Sequence, residues 1–129
     1  MTPTWKICRR ALARGMGSGE IAWAFEERGN ASLVAPAGRV DEATAAEFAE
    51  RLSKFAETCR DTMILDLEGI AYMSSRGLRA LTLAQRRASE CGTTIVLARP
   101  NPTMREILAI SRYDRIFTVT ETIEAAQDD

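Results

Sequence analysis

Met63-Ile-Leu-Asp-Leu-Glu-Gly-Ile-Ala-Tyr-Met-Ser-Ser-Arg-Gly-Leu-Arg79 is the stretch from which the order of this chain unfolds. Residues 63–67 form a nearly continuous apolar run with one aspartate, the pattern of a central strand buried on both faces. Gly69 ends that run. Ser74 and Ser75 then stand just ahead of an amphipathic segment in which Leu78, Leu81, Gln85 and Ala88 share one stripe, and which stops at Gly92. The spacing predicts a helix that begins at Ser75 or Arg76. Hydroxyls at such a point meet backbone N–H groups that have no intrahelical partner, at the end of the helix dipole that favours negative charge. Two readings fit the serine pair: an ordinary N-cap, or a serine that carries a phosphate.

Upstream, Ile21-Ala-Trp-Ala-Phe-Glu-Glu27 alternates apolar and other residues, and Arg28-Gly29-Asn30 reads as a hairpin turn into a second strand over residues 31–36. Trp23 and Phe25 belong to the first strand and its packing. Asp41 is placed to cap a helix whose dipole Glu42 reinforces and along which Ala45, Phe48, Leu52 and Phe55 recur at helical spacing. Downstream, residues 93–98 read as a strand. Asn101-Pro102 is an N-cap followed by proline at the first helical position, with Met104, Ile107, Leu108 and Ser111 continuing the helix. Residues 116–119 form a last short strand, and Thr120 caps a terminal helix. Strands that alternate with helices predict a mixed, mainly parallel sheet of about five strands, an opening antiparallel hairpin and helices packed against the sheet. The chain is expected to hold one α/β domain over residues 20–127. Residues 1–19 are set apart as an N-terminal extension, with a basic, partly apolar stretch and a flexible linker, Gly15-Met-Gly-Ser-Gly19. That stretch reads as a frayed extension, a short docking helix, or sequence upstream of a start at Met16.

Bulk properties narrow the function classes. A length of 129 residues suits one core, and 46% apolar with 27% charged residues is the composition of an ordinary globular protein. Seventeen basic and eighteen acidic residues leave a formal net charge of −1, so no global field draws nucleic acid or an anionic membrane. No apolar run approaches the roughly 18–20 residues of a membrane span, so membrane insertion is not expected. Cys8, Cys59 and Cys91 are widely spaced and odd in number; they make no disulfide framework and fit reducing, cytoplasmic surroundings. Cys59 and Cys91 fall near predicted helix ends, where small cysteines pack; Cys8, beside Lys6, Arg9 and Arg10, is either reactive or an inert thiol. The chain has no histidine, which removes serine–histidine and cysteine–histidine hydrolases, and no zinc site follows. Gly15, Gly17 and Gly19 mimic part of a phosphate loop but lack a preceding strand and a Lys-Ser/Thr ending. An enzyme or nucleotide-binding domain is therefore the least supported class.

This order and four of its pieces resemble the anti-sigma factor antagonists of bacteria, the small single-domain members of the STAS family. The pieces are Gly38-Arg-Val-Asp-Glu-Ala-Thr-Ala45, the strand Ile64-Leu-Asp-Leu67, the stretch Gly69-Ile-Ala-Tyr-Met-Ser-Ser-Arg-Gly-Leu-Arg79, and Ile116-Phe117 after the third helix. The resemblance spans residues 21–126. It implies a non-enzymatic module that binds an anti-sigma factor, itself an ATP-dependent serine kinase, and so frees a sigma factor. Phosphorylation of a serine at a helix N-terminus ends binding, and a serine phosphatase restores it. ATP and magnesium belong to the kinase, so no cofactor is expected here. The partner-binding residues implied are Asp41, Ser74, Ser75, Arg76, Gly77 and Arg79.

The motif departs from the family's commonest form, in which an aspartate and two serines precede the glycine and the second serine accepts the phosphate. Here Ser75 lies one place before that register and Arg76 holds the acceptor's place. Members with two serines, a third residue and then glycine are similar to this chain, which makes Ser75 the expected acceptor and Ser74 the second choice. Arg76 either pairs with a phosphate on Ser75 or marks a member without phosphorylation. Asp41 is a cap, a partner-facing residue, or both. Asp66 is expected to be structural, and Arg86-Arg87 a solvated helix face. The alternative function is a STAS subunit fixed in a larger assembly, such as a lipid transporter or a stress-signalling scaffold.

Overall fold

The computed structural model describes residues 21–59 and 61–128, so the expectations for residues 1–19, including Cys8 and the glycine linker, lie outside the described residues. Strands β1 (Ala22–Arg28) and β2 (Ala31–Val40) form an antiparallel hairpin, with Gly29 at a left-handed φ of 65° in its tip. Parallel neighbours continue the sheet: β3 (Thr62–Asp66), β5 (Thr94–Ala98) and β6 (Thr118–Thr120), in the order β1-β2-β3-β5-β6. The helices are α1 (Ala45–Thr58), α2 (Ser75–Glu90), α3 (Pro102–Ser111) and the short α4 (Ile123–Asp128), with a 3₁₀ turn at Tyr113–Arg115.

Residue alternation along β3 assigns the two faces. Met63 and Leu65 enter a large core with Phe48 and Leu52 of α1, Leu81 of α2, and Met104 and Leu108 of α3. Ile64, pointing the other way, joins Leu33, Val96, Ile123 and Ala126 beneath α4. Burial on both faces explains why residues 63–67 are apolar but for Asp66 and show no polar stripe. Trp23 is buried against Phe48 and Phe55, with ring centroids 5.6 and 5.5 Å away, and Phe25 stacks on Phe55.

The structure adds a sixth strand, β4 (Ile70–Met73), which pairs in parallel with the end of β2. Four residues after a turn carry no strand signal of their own; the ladder comes from β2, which runs four residues past the expected end at Pro36. Pro36 lies between the last β2–β3 pair (Val34 with Leu65) and the first β2–β4 pair (Gly38 with Ile70). Two boundaries also shift. The 3₁₀ turn takes up the chain before β6, which leaves Ile116 exposed and starts the strand at Thr118. Thr122, not Thr120, accepts the Ala125 N–H at the start of α4, while the Thr120 hydroxyl donates to the Thr122 carbonyl.

Asn101 does cap α3, its Oδ1 accepting from Met104 N at 2.9 Å, with Pro102 in the first turn. Its amide nitrogen donates to the carbonyls of Leu67, Glu68 and Ile70 at 3.4, 3.0 and 2.7 Å. One side chain thus closes a helix and holds the loop that leads into β4. Asp66 is buried and structural: Arg99 grips it through Nε (3.2 Å) and Nη2 (2.6 Å), and Glu68 N donates to its Oδ1 at 3.1 Å. Arg99 holds a left-handed φ of 53° in that position.

Cys59 is buried at the end of α1, where desolvation pushes its thiol pKa up, whereas Cys91 is exposed at the end of α2. The expectation that both cysteines pack holds for Cys59 alone. Arg86 and Arg87 are exposed, as expected, with Arg87 paired to Glu57 and Glu90. Among the described residues no helix is long and apolar enough to cross a membrane.

Two measurements check this arrangement. Brief alkylation of the native protein, read by peptide mass spectrometry, should label Cys91 and spare Cys59 until denaturant is added. Asn101→Ala should lower the unfolding free energy by about 2 kcal/mol in a urea titration, because a cap and the amide bonds are lost together.

Candidate functional site

Strands β2 and β4 run in parallel and leave the sheet side by side, so residues 41–44 and 74–77 emerge at the same end. The ladder continues one step beyond the strands, with Ser74 N donating to Val40 O at 2.8 Å. Ser74 has an extended backbone (φ −82°, ψ 177°), and its Oγ accepts from Gly77 N at 3.4 Å. It is the N-cap of α2 and is half-buried. Ser75 is the first helical residue and is exposed; among the described residues its hydroxyl has no hydrogen-bond partner. The paired serines are therefore unequal, one occupied by the fold and one open to solvent.

Gly77 is buried, and a Cβ there would stand 2.5 Å from Met73 Cγ and 2.7 Å from Val40 Cγ1. The absence of a side chain is what lets the first turn of α2 lie against the ends of β2 and β4. Its place in the site is steric rather than a surface contact.

Helix α1 proper starts at Ala45 with Thr44 as its N-cap, one turn later than the sequence suggested. Asp41 works one turn earlier. Its Oδ1 accepts from Ala43 N (3.0 Å) and Thr44 N (3.3 Å), closing the turn that feeds the helix. The buried Thr44 returns the constraint: its hydroxyl accepts from Asp41 N at 3.0 Å and donates to Arg39 O at 2.8 Å. The remaining carboxylate oxygen of Asp41 lies 3.5 Å from Arg39 Nε.

Arg39 and Tyr72 belong to the same end and were not singled out from sequence. The Arg39 guanidinium carbon sits 4.5 Å from the centroid of the Tyr72 ring, across the β2–β4 pair. Their meeting depends on a register shift between Gly38 and Arg39, which no local pattern announces. Arg76 reaches back toward α1, its Nε 3.9 Å from Glu42 Oε2, with both side chains largely exposed. Arg79 is exposed on the next turn of α2. Asp41, Ser74, Ser75, Arg76 and Gly77 thus converge, and Arg79 borders them.

The result is a surface of mixed charge rather than a chemical pocket. A groove of about 590 Å³ lies toward the other end of α2, lined by Gln85, Arg86, Ser89, Thr93 and Thr94, and includes none of the serine-end residues. Among the described residues no group of three or more His, Cys, Asp or Glu side chains is placed to hold a metal ion.

A family model described as the STAS domain matches residues 22–126. The chain belongs to the STAS-domain family. It is 32% identical over 89 residues to a Bordetella bronchiseptica protein named "Putative anti-sigma factor antagonist BtrV", covering 69% of this chain and 77% of that one. Among solved structures, an anti-sigma factor antagonist from Mycobacterium paratuberculosis superposes with a TM-score of 0.73 at 20% identity, over 88% of this chain and 97% of that one. SpoIIAA, an anti-sigma factor antagonist in its unphosphorylated form, gives a TM-score of 0.67 at 20% identity over 83% and 94% of the two chains. Its phosphorylated form, described as a Bacillus cell fate determinant, gives 0.60 at 21% over 83% and 97%. At these identities the solved structures establish the fold, including the mixed sheet and the placement of the helices in this STAS domain.

Gly77→Ala tests the close approach that builds the serine end. Overpacking against the stiff Val40 side chain should lower stability by about 1–3 kcal/mol in urea unfolding. The Ser74 and Leu78 amide resonances should shift with it.

Proposed function

We propose that this STAS domain is an anti-sigma factor antagonist. Unphosphorylated, it docks the end carrying Asp41, Ser74, Ser75, Arg76 and Arg79 on an anti-sigma factor that is a serine kinase, and the sigma factor is freed. The kinase transfers the γ-phosphoryl group of ATP to Ser75 Oγ, with loss of the hydroxyl proton and release of ADP. A serine phosphatase reverses the modification in the cytoplasm. The domain itself performs no catalysis and carries no cofactor.

The observation that carries this reading is the division of labour between the serines. Ser74 is committed to capping α2, while the Ser75 hydroxyl is exposed and without a partner among the described residues. The name of the Bordetella relative supports the functional class, and SpoIIAA, similar in fold, has been solved both with and without phosphate. Physical arguments support the same residue. A phosphoserine carries about −1.5 to −2 charges at neutral pH. At the first position of a helix it meets unpaired N–H groups and a favourable dipole, so the fold tolerates it. Against a docked partner the same charge is desolvated, and each ~1.4 kcal/mol of that penalty weakens binding tenfold.

The test uses the cognate anti-sigma factor. With ATP it should add one phosphate, mapped by mass spectrometry to Ser75. Ser75→Ala should bind the anti-sigma factor like the parent, and Ser75→Asp at least tenfold more weakly. A partner that binds but adds no phosphate, with equal affinities for the two variants, would sink the switch and favour a STAS subunit fixed in a larger assembly.

A further inference from the structure

Arg39, Arg76 and Arg79 lie near the proposed acceptor and Arg87 stands farther along α2, and the structure distinguishes the four. Arg39 lies over Tyr72 and beside Asp41 at the end of β2. Arg76 follows Ser75 directly, and adjacent helical residues do not share a face; its guanidinium extends instead toward Glu42 at the start of the α1 turn. Arg87, three turns on, is tied to Glu57 and Glu90. Arg79 differs from all three. It is exposed, and among the described residues it makes neither a salt bridge nor a side-chain hydrogen bond.

Its position relative to Ser75 is the one helical geometry favours. Residues four apart stand one above the other on the helix surface, and the stabilising order places the acidic group N-terminal to the basic one. Ser75 and Arg79 have that spacing, and both face solvent on the first two turns of α2. A phosphate on Ser75 adds the missing acid.

We propose that Arg79 is the residue that receives the Ser75 phosphate, forming an i,i+4 pair along α2 while Arg76 keeps its contact with Glu42. This rests on Ser75 being the modified residue. Phosphorylation then changes the partner-facing surface twice over: it adds negative charge at position 75 and withdraws the Arg79 guanidinium from contacts with the anti-sigma factor. Arg79 is a positioning residue for the phosphate and takes no part in its transfer.

The experiment bypasses the kinase, so its failure is separable from failure of the functional reading. Full-length protein is made with phosphoserine encoded at position 75 during translation, and the phosphate is titrated by ³¹P NMR at low salt. The charged groups at this end of the fold are Arg39, Asp41, Glu42, Arg76 and Arg79, and the second phosphate pKa of a phosphoserine is about 6. Pairing with Arg79 favours the dianion and lowers that pKa. Arg79→Gln should therefore raise it by about 0.3 of a pH unit, the scale of an exposed i,i+4 ion pair. Arg76→Gln should raise it by less than half as much, and Arg79→Lys should restore most of the parent value. No change in Arg79→Gln, or an Arg76→Gln shift as large as that of Arg79→Gln, would overturn the assignment.

Discussion

Close approach at two glycines, of Gly69 to the backbone of β2 and of Gly77 to the Val40 and Met73 side chains, governs the serine end of this fold. β4 pairs with β2 from Gly38 onward, where Gly38 N donates to Gly69 O at 3.0 Å, and the register shifts between Gly38 and Arg39. Gly69 lies against the other strand so tightly that a Cβ there would stand 3.0 Å from Ala37 Cβ and 3.2 Å from Pro36 O. Gly77 repeats the constraint one element later, beneath Val40 and Met73. Between those two glycines the chain crosses from sheet to helix, and Ser74 N closes the crossing on Val40 O. The position of Ser75 follows from these distances. Interiors packed to such density transmit a single added methyl group directly to their neighbours.

The features legible in the sequence are those whose cause is local. Burial on both faces of β3 wrote itself as an apolar run broken only by Asp66, and the caps at Ser74 and Asn101 follow from hydroxyl and amide side chains next to helical periodicity. The features that escaped are those whose cause lies across the sheet. β4 has four residues and takes its identity from β2; Arg39 and Tyr72 meet only because that pairing is bulged. Asp41 falls between the two cases. Its place just ahead of α1 was legible, but the expected cap at Asp41 gives way to Thr44, and the helix starts at Ala45 after a turn that the Thr44 hydroxyl ties to Arg39 O. For the proposed acceptor, sequence alone ranked Ser75 over Ser74 by resemblance. Ser75 is exposed and Ser74 half-buried, a difference that no local pattern encodes.

Charge at this end is arranged so that a modification there leaves the core alone. Arg39, Asp41, Glu42, Arg76 and Arg79 are exposed or half-buried, whereas Val40, Met73, Leu78 and Leu81 directly beneath are buried. On the proposed reading, a phosphate on Ser75 alters what a partner meets without breaking a packing contact. Exposed pairs such as Arg76 with Glu42 contribute little to stability, so exchanging them costs the fold little. On the proposed reading, their value lies in matching or repelling an opposing surface.

Asp66 illustrates how a carboxylate beside a serine motif is spoken for by structure. Both of its oxygens are occupied, Oδ1 by Arg99 Nε and Glu68 N, and Oδ2 by Arg99 Nη2. Arg99 also reaches Glu68 at 2.8 Å, so one guanidinium ties the end of β3 to the loop that follows it. Asn101 holds the same loop from the other side through three carbonyls. Removing Asp66 would leave Arg99 in a left-handed conformation without the anchor that offsets its strain. The loop held by Asp66, Arg99 and Asn101 feeds β4, and β4 delivers Ser74 and Ser75. The carboxylate therefore acts on the serine end through position alone, two elements away from it.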